Sequence, residues 1–267
     1  MKTRKMITAL LFGTISISAT ACSNTNNENT EADTISTSIE APEEIHVETN
    51  EVLFKKGKLI EVAFLSIKEG MGKQLKEDYF PKVMPIVTEY GGKALMKIGV
   101  QNNYSEEIKA QVVVFFEWPS VARKEAFDKD PRYLKVKKIR DAALSYLKQS
   151  YFEVEKDSPV KLDGTKFYEV YGMSMNKKNG HLMNKYFEKA GPIVTKEYDV
   201  EFALALKPVK VKGGDYYVPQ TFGLAIWPSA EANAQFFNSS EYQAIKHYKE
   251  AALERIDVWQ GAVVFNK

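Results

Sequence analysis

A single cysteine and three histidines are all this chain of 267 residues holds of either type, and each scarcity removes a class of function. One cysteine, Cys22, leaves no disulfide framework and no cysteine-built metal cluster. Of the histidines, His46 lies in a polar amino-terminal stretch, His181 follows Asn179-Gly180 at a helix start, and His247 falls in the last helical stretch. No metal site can be assembled from these parts. The chain also lacks a Gly-rich phosphate loop, a Gly-x-Ser-x-Gly elbow and a His-Glu-x-x-His helix.

The amino-terminal apolar run, Met6 to Ala19, is too short to cross a bilayer as a helix. Preceded by Lys2, Arg4 and Lys5, it reads as a secretory signal over residues 1–21. It ends on Ala19-Thr20-Ala21-Cys22, which resembles the lipobox of bacterial lipoproteins, with Ala19 where that family usually has Leu. The resemblance implies that Cys22 is lipidated and anchors the protein to a membrane of the cell envelope, facing the periplasm. Ser23, in place of the Asp associated with inner-membrane retention in enteric bacteria, favours the outer membrane where one exists. The alternative is an ordinary signal peptide cut after Ala21, leaving a free thiol. Residues 22–55 are expected to form a disordered tether, because their composition buries too little apolar surface to offset ordering entropy. That tether carries eight acids and no Lys or Arg between Ser23 and Phe54. Setting aside those eight acids and the three bases of the signal leaves 34 bases and 27 acids in residues 55–267, a net charge of +7. An acidic leash on a basic body should stand off an anionic membrane, while the body favours anionic ligands or head groups, or is simply soluble. An exported chain is not expected to meet nucleic acid.

The rest is written twice. Pro85-Ile86-Val87-Thr88 returns as Pro192-Ile193-Val194-Thr195, Trp118-Pro119-Ser120 as Trp227-Pro228-Ser229, and Ala142-Ala143-Leu144 as Ala251-Ala252-Leu253. The repeats are placed at residues 56–157 and 166–267. In each, period-2 apolar runs and helix-spaced apolar residues alternate as strand, helix, strand, strand, helix, strand. Ile60–Ile67 and Phe167–Met175 open the copies as strands. Gly91-Gly92 stops the first helix, Pro85 should kink it, and Ser120 and Ser229 cap later helices. The last helical stripe of the first copy runs from Tyr133 to Leu147, before a closing strand at Ser150–Val154. In the second copy the corresponding helix is Tyr242–Ile256 and the strand Val258–Phe265. Gly213-Gly214 marks a hairpin turn. The fold class is therefore α+β: two ferredoxin-like β-α-β-β-α-β units, each with both helices on one sheet face. The bare faces need cover, so the two sheets should pack together as an intrachain pseudo-dimeric barrel that requires no further oligomer.

Trp227-Pro228-Ser229-Ala230-Glu231-Ala232 followed by Phe236-Phe237-Asn238-Ser239-Ser240-Glu241-Tyr242 resembles the signature of the DUF1330 domain, and the first copy keeps the frame through Trp118-Pro119-Ser120 and Phe127…Tyr133. The resemblance implies the dimeric α+β-barrel superfamily, which includes antibiotic-biosynthesis and haem-degrading monooxygenases, but DUF1330 itself has no assigned function. Within that superfamily a single histidine can ligate haem, which makes His247 a candidate axial ligand; the alternative is a surface histidine, since it lies off the helix's apolar line. No other cofactor is expected. Glu61 and Glu169 stand at matched places in the first strands. Pointing into the shared interface they would be poised as general bases, and pointing outward they would be ordinary surface acids. Tyr79, Trp118, Tyr133, Tyr186, Trp227 and Tyr242 recur in both copies as core packing or as the lining of a cleft for a flat hydrophobic molecule. Three readings follow: a small hydrophobic or aromatic ligand bound between the two repeats, a monooxygenase-like enzyme, or an interaction protein with a filled interface.

Overall fold

The computed structural model of the protein describes residues 49–211 and 216–265. The signal, Cys22, most of the leash and the Gly213-Gly214 turn lie outside these residues. The first repeat runs β2 (Leu59–Ile67), α1 (Gly72–Gln74), a π-helical turn (Leu75–Tyr79), α2 (Phe80–Glu89), β3 (Lys93–Asn103), β4 (Val112–Trp118), α3 (Val121–Asp128), α4 (Pro131–Ala143) and β5 (Leu144–Glu153). The second runs β7 (Phe167–Met175), α5 (Leu182–Lys196), β8 (Glu201–Pro208), β9 (Thr221–Trp227), α6 (Ala230–Asn238), α7 (Ser240–Ala252) and β10 (Leu253–Val263). Each sheet has its outer strands on either side of the first and third, all antiparallel, as the ferredoxin-like unit requires. The helix starts follow from their caps: the hydroxyls of Ser120, Ser229 and Ser239 and the carboxyl of Asp130 accept from backbone N–H groups two or three residues on.

Two stretches differ from expectation. Residues 49–54, read as the end of the leash, form strand β1 (Thr49–Phe54) paired antiparallel with β6 (Ser158–Asp163) in the link between repeats. Phe54, Val160 and Leu162 are buried against the main core, so apolar surface offsets the ordering cost there. The helical stripes past Ala143 and Ala252 are also strand: Leu144 and Leu253 take extended backbone angles and open β5 and β10. Leu is a good helix former and no Gly or Pro marks the stop, so only pairing with β2 and β7 decides it.

The two sheets join edge to edge into one closed eight-stranded barrel. One seam is long, pairing Trp259 with Asn103 and Val263 with Ile98 across β10 and β3. The other, β5 to β8, joins only Phe152 with Pro208 and Glu153 with Lys207. Beyond it, Val209 N–H donates to the Tyr151 carbonyl at 2.8 Å and Tyr217 N–H to that of Gln149 at 3.1 Å. Strand alternation sends Ile60, Val62, Phe64, Tyr168, Val170, Phe222, Leu224 and Trp259 inward. There the rings interlock, Phe64 lying 4.3 Å from Trp259 and Phe152 4.3 Å from Phe222. A barrel of eight strands is just wide enough for its own side chains. The space between the repeats, expected to hold a ligand, is instead filled core.

Gly261 is where β10 breaks register against β3, and a Cβ there would run into the Gly99 carbonyl. Replacing it with Ala forces the long seam apart and is expected to cost on the order of 1–3 kcal/mol. A Gly261→Ala protein that melts with the parent in thermal denaturation would show that the seam tolerates the shift.

Candidate functional site

The face of each sheet turned away from the barrel interior lies under that repeat's helices, and there the two copies differ. In the first repeat Glu61 sits on this face of β2, buried beneath α3. It accepts hydrogen bonds from Trp118 Nε1 at 2.9 Å and from the Gln149 amide. Lys124 of α3, only 2% exposed, drops its ammonium 3.7 Å from Glu61 Oε2 and 2.6 Å from Asp128 Oδ1. The same nitrogen lies 5.4–5.7 Å from the ring centres of Trp118, Phe127 and Tyr151. Burial works against that charge, but the facing carboxylates of Glu61 and Asp128 outweigh it and raise the Lys124 pKa. Tyr79, Tyr133 and Tyr151 pack around this centre, and burial pushes all three phenols up, Tyr133 to about 12. Arg140 closes the side with a 2.9 Å bond to the Tyr133 hydroxyl.

In the second repeat the matched centre is open. Glu169 replaces Glu61, Trp227 replaces Trp118, Phe236 replaces Phe127 and Lys249 replaces Arg140, while Asn233 stands where Lys124 stood and Phe237 where Asp128 stood. A short amide in place of a long cation leaves a pocket of about 500 Å³ between β7, β9, β10 and helices α5, α6 and α7. Its floor is Glu169, whose Oε2 accepts from Gln260 Nε2 at 2.6 Å and Asn233 Nδ2 at 3.1 Å, with Gln260 also donating to Asn233 Oδ1 at 3.2 Å. Burial raises the Glu169 pKa, against the pull of those two amides, and lifts the neighbouring Tyr171 phenol to about 12. Because Asn233 and Gln260 hold the carboxyl, the bond that Trp118 makes to Glu61 has no counterpart: Trp227 Nε1 is buried without a partner among the described residues. Tyr171, Tyr186, Phe236, Phe237 and Tyr242 wall the space. Phe187 and Phe202, both exposed, form part of its rim, 6.4 Å apart.

Of the six matched aromatics, Tyr186, Trp227 and Tyr242 line this pocket, whereas Tyr79, Trp118 and Tyr133 are packed into the first repeat's core. Neither glutamate faces the shared interior or bulk solvent; both point under their own helices. His247 is exposed on α7 beside Tyr248, with ring centres 4.0 Å apart, and is not among the residues lining the pocket. The residues present therefore do not fit a histidine-ligated haem. Among the described residues no cluster of three or more His, Cys, Asp or Glu could hold a metal ion. Asn233, Gln260 and Lys249 are site residues that repeat-matching by similarity passes over. For Asn233 the signal is dissimilarity, a Lys facing an Asn at one register position.

The family model DUF1330, described as a domain of unknown function, matches residues 67–147 and 169–259. No curated protein matches the chain. Among solved structures, an anthrone oxidase-like protein is similar at 13% identity over 80% of this chain and 94% of its own, with a TM-score of 0.51. A mutant chlorite dismutase from Candidatus Nitrospira defluvii, in complex with cyanide, is similar at 9% identity over 79% of this chain and 92% of its own, with a TM-score of 0.50. At these identities the likeness is one of fold.

A carboxyl whose pKa is raised by folding binds its proton more tightly in the folded state. Its stabilising share is full below the unfolded value and is lost as pH rises through the folded one. Wild type should therefore lose stability relative to Glu169→Gln as pH rises above the ordinary carboxyl range, about pH 4. Parallel melting curves over that rise would refute the raised value.

Proposed function

Because the chain belongs to the DUF1330 family, we propose its activity from the pocket itself: the second repeat binds a flat, largely apolar aromatic molecule whose hydroxyl meets Glu169. The observation that carries this is the contrast at one register position. Lys124 fills the first site with its own cation, and Asn233 leaves the second open over a carboxyl, an unpartnered indole N–H and five aromatic rings. A pocket of about 500 Å³ lies within the ordinary range for small-molecule sites. Buried polar groups without partners cost about 1–3 kcal/mol each, so a ligand that pairs with Trp227 Nε1 recovers that loss.

A second reading, an enzyme, is supported by the raised pKa of Glu169. A carboxylate held by two amides in an apolar pocket can take a proton from a bound phenol or an acidic C–H, leaving the carboxylic acid and the substrate's anion, which is the step a general base contributes. The anthrone oxidase-like and chlorite dismutase proteins share the fold, and their chemistry comes to this chain only as analogy. The reading of an interaction protein without a pocket is disfavoured by the open second site. Export and lipidation at Cys22 belong to this proposal too. A Cys22→Ser protein should leave the membrane fraction, and one that remains there would refute the anchor.

The binding reading is tested by titrating the protein with 2-naphthol and following tryptophan fluorescence. Wild type should bind. Asn233→Lys, which copies the first repeat's plug, should lose binding about tenfold or more while melting near the wild-type temperature. At pH values where Glu169 is ionised, Glu169→Gln should bind more weakly than wild type, because a carboxylate accepts the hydroxyl proton more strongly than an amide does. Equal binding by the Lys variant would move the ligand to another site.

A further inference from the structure

Lys249 of α7 lines the same pocket with its ammonium over aromatic rings, 5.0 Å from the centre of Tyr242, 5.2 Å from Phe237 and 5.6 Å from Tyr186. Its counterpart, Arg140, bonds the Tyr133 hydroxyl and the carboxylate of Asp141. Lys124, the other cation of the first site, is held between two carboxylates. Lys249 has neither arrangement: it feels the Glu169 carboxyl across the pocket, but no carboxylate lies within salt-bridge distance of it among the described residues. Asp128, which balances charge in the first repeat, is replaced by Phe237, one of the rings beneath Lys249. Glu169 is engaged by Asn233 and Gln260 on the sheet floor. Phe237 lies beside both the half-buried Lys249 ammonium and Trp227, whose indole N–H has no partner among the described residues; its ring is 5.9 Å from that of Trp227. The pocket therefore offers surplus donor capacity, an ammonium and an indole N–H, along one aromatic wall.

We infer that the ligand is an aromatic acid bound as its anion, with the carboxylate or an equivalent oxyanion against Lys249 and the ring system along Phe237 and Trp227. The inference rests on the binding reading above and narrows it to a class of molecule: a hydroxy-aromatic carboxylate has one group for Glu169 and one for Lys249. A half-buried cation over rings is less screened than a fully exposed lysine and binds an oxyanion more strongly. Lys249 is thus the specificity residue and Glu169 the acceptor at the other pole.

The test compares 6-hydroxy-2-naphthoate with 2-naphthol, which differ by the carboxylate, in the full-length protein and in Lys249→Met. Methionine keeps the length and apolar stem of the lysine and removes its charge. Wild type should prefer the naphthoate by about tenfold or more, the ratio expected for one charge-assisted hydrogen bond. Lys249→Met should abolish that preference, so that the two probes bind it with affinities within about twofold of each other. Equal affinity for the two probes in wild type, with 2-naphthol still binding, overturns the anion and leaves the pocket intact. A Lys249→Met protein that weakens both probes alike makes the lysine merely structural and overturns its role. Failure of both probes to bind wild type overturns both readings.

Discussion

Closure of the barrel is the constraint on which everything else depends. Once β10 pairs with β3 and β5 meets β8, each strand has one face turned to a common interior and one turned to helices. Eight strands leave an interior that side chains fill, and here Phe64, Phe152, Tyr217, Phe222 and Trp259 fill it. Each ring buries on the order of 150–250 Å², so this interior carries much of the stability. It leaves no room for a ligand at the centre of the barrel. The aromatic-lined pocket instead lies on the other sheet face, under the helices, where the residues of odd number on β2 and β7 project.

That second face exists twice, and the pair forms an internal comparison that a single domain could not offer. The frame is common to both: a strand glutamate, a tryptophan ending the third strand, a phenylalanine and a tyrosine on the second helical stretch, and a cation two turns further along. In the first repeat the frame is internally neutralised. Lys124 answers Glu61 and Asp128, Trp118 answers Glu61, and Arg140 answers Tyr133. In the second, the glutamate is turned toward two amides, the indole is left without a partner, and the lysine rests on rings. A polar network that satisfies itself rigidifies a core, whereas one left partly unsatisfied is costly unless something external completes it. The divergence of the copies thus separates a structural half from a half that can take a ligand.

Repeat spacing, helix caps and strand alternation carried the architecture from sequence alone, because each is a local rule. Ser120 and Ser229 cap helices through their own hydroxyls, and the period-2 runs at Ile60–Ile67 and Phe167–Met175 need only a neighbour to become strands. The helix-to-strand junctions after Ala143 and Ala252 were not legible, since nothing in the local chemistry stops either helix. Strand β1 was not legible either. Thr49–Phe54 continues a polar stretch with only Val52, Leu53 and Phe54 apolar, and it is ordered because Phe54 reaches a core assembled from residues distant in the chain.

By itself the sequence determined the duplication, the α+β units and the scarcity of cysteine and histidine that removes disulfides and histidine-rich metal sites. It also placed Glu61, Glu169 and the six aromatics at matched positions. Only the tertiary structure decided which way the glutamates point, which three aromatics border open space, and that His247 stands apart from them. The reason is physical: direction and enclosure depend on which strand lies beside β2 or β7 and which helix lies above. The exchange of Lys124 for Asn233 matters only once α3 and α6 are laid across their sheets.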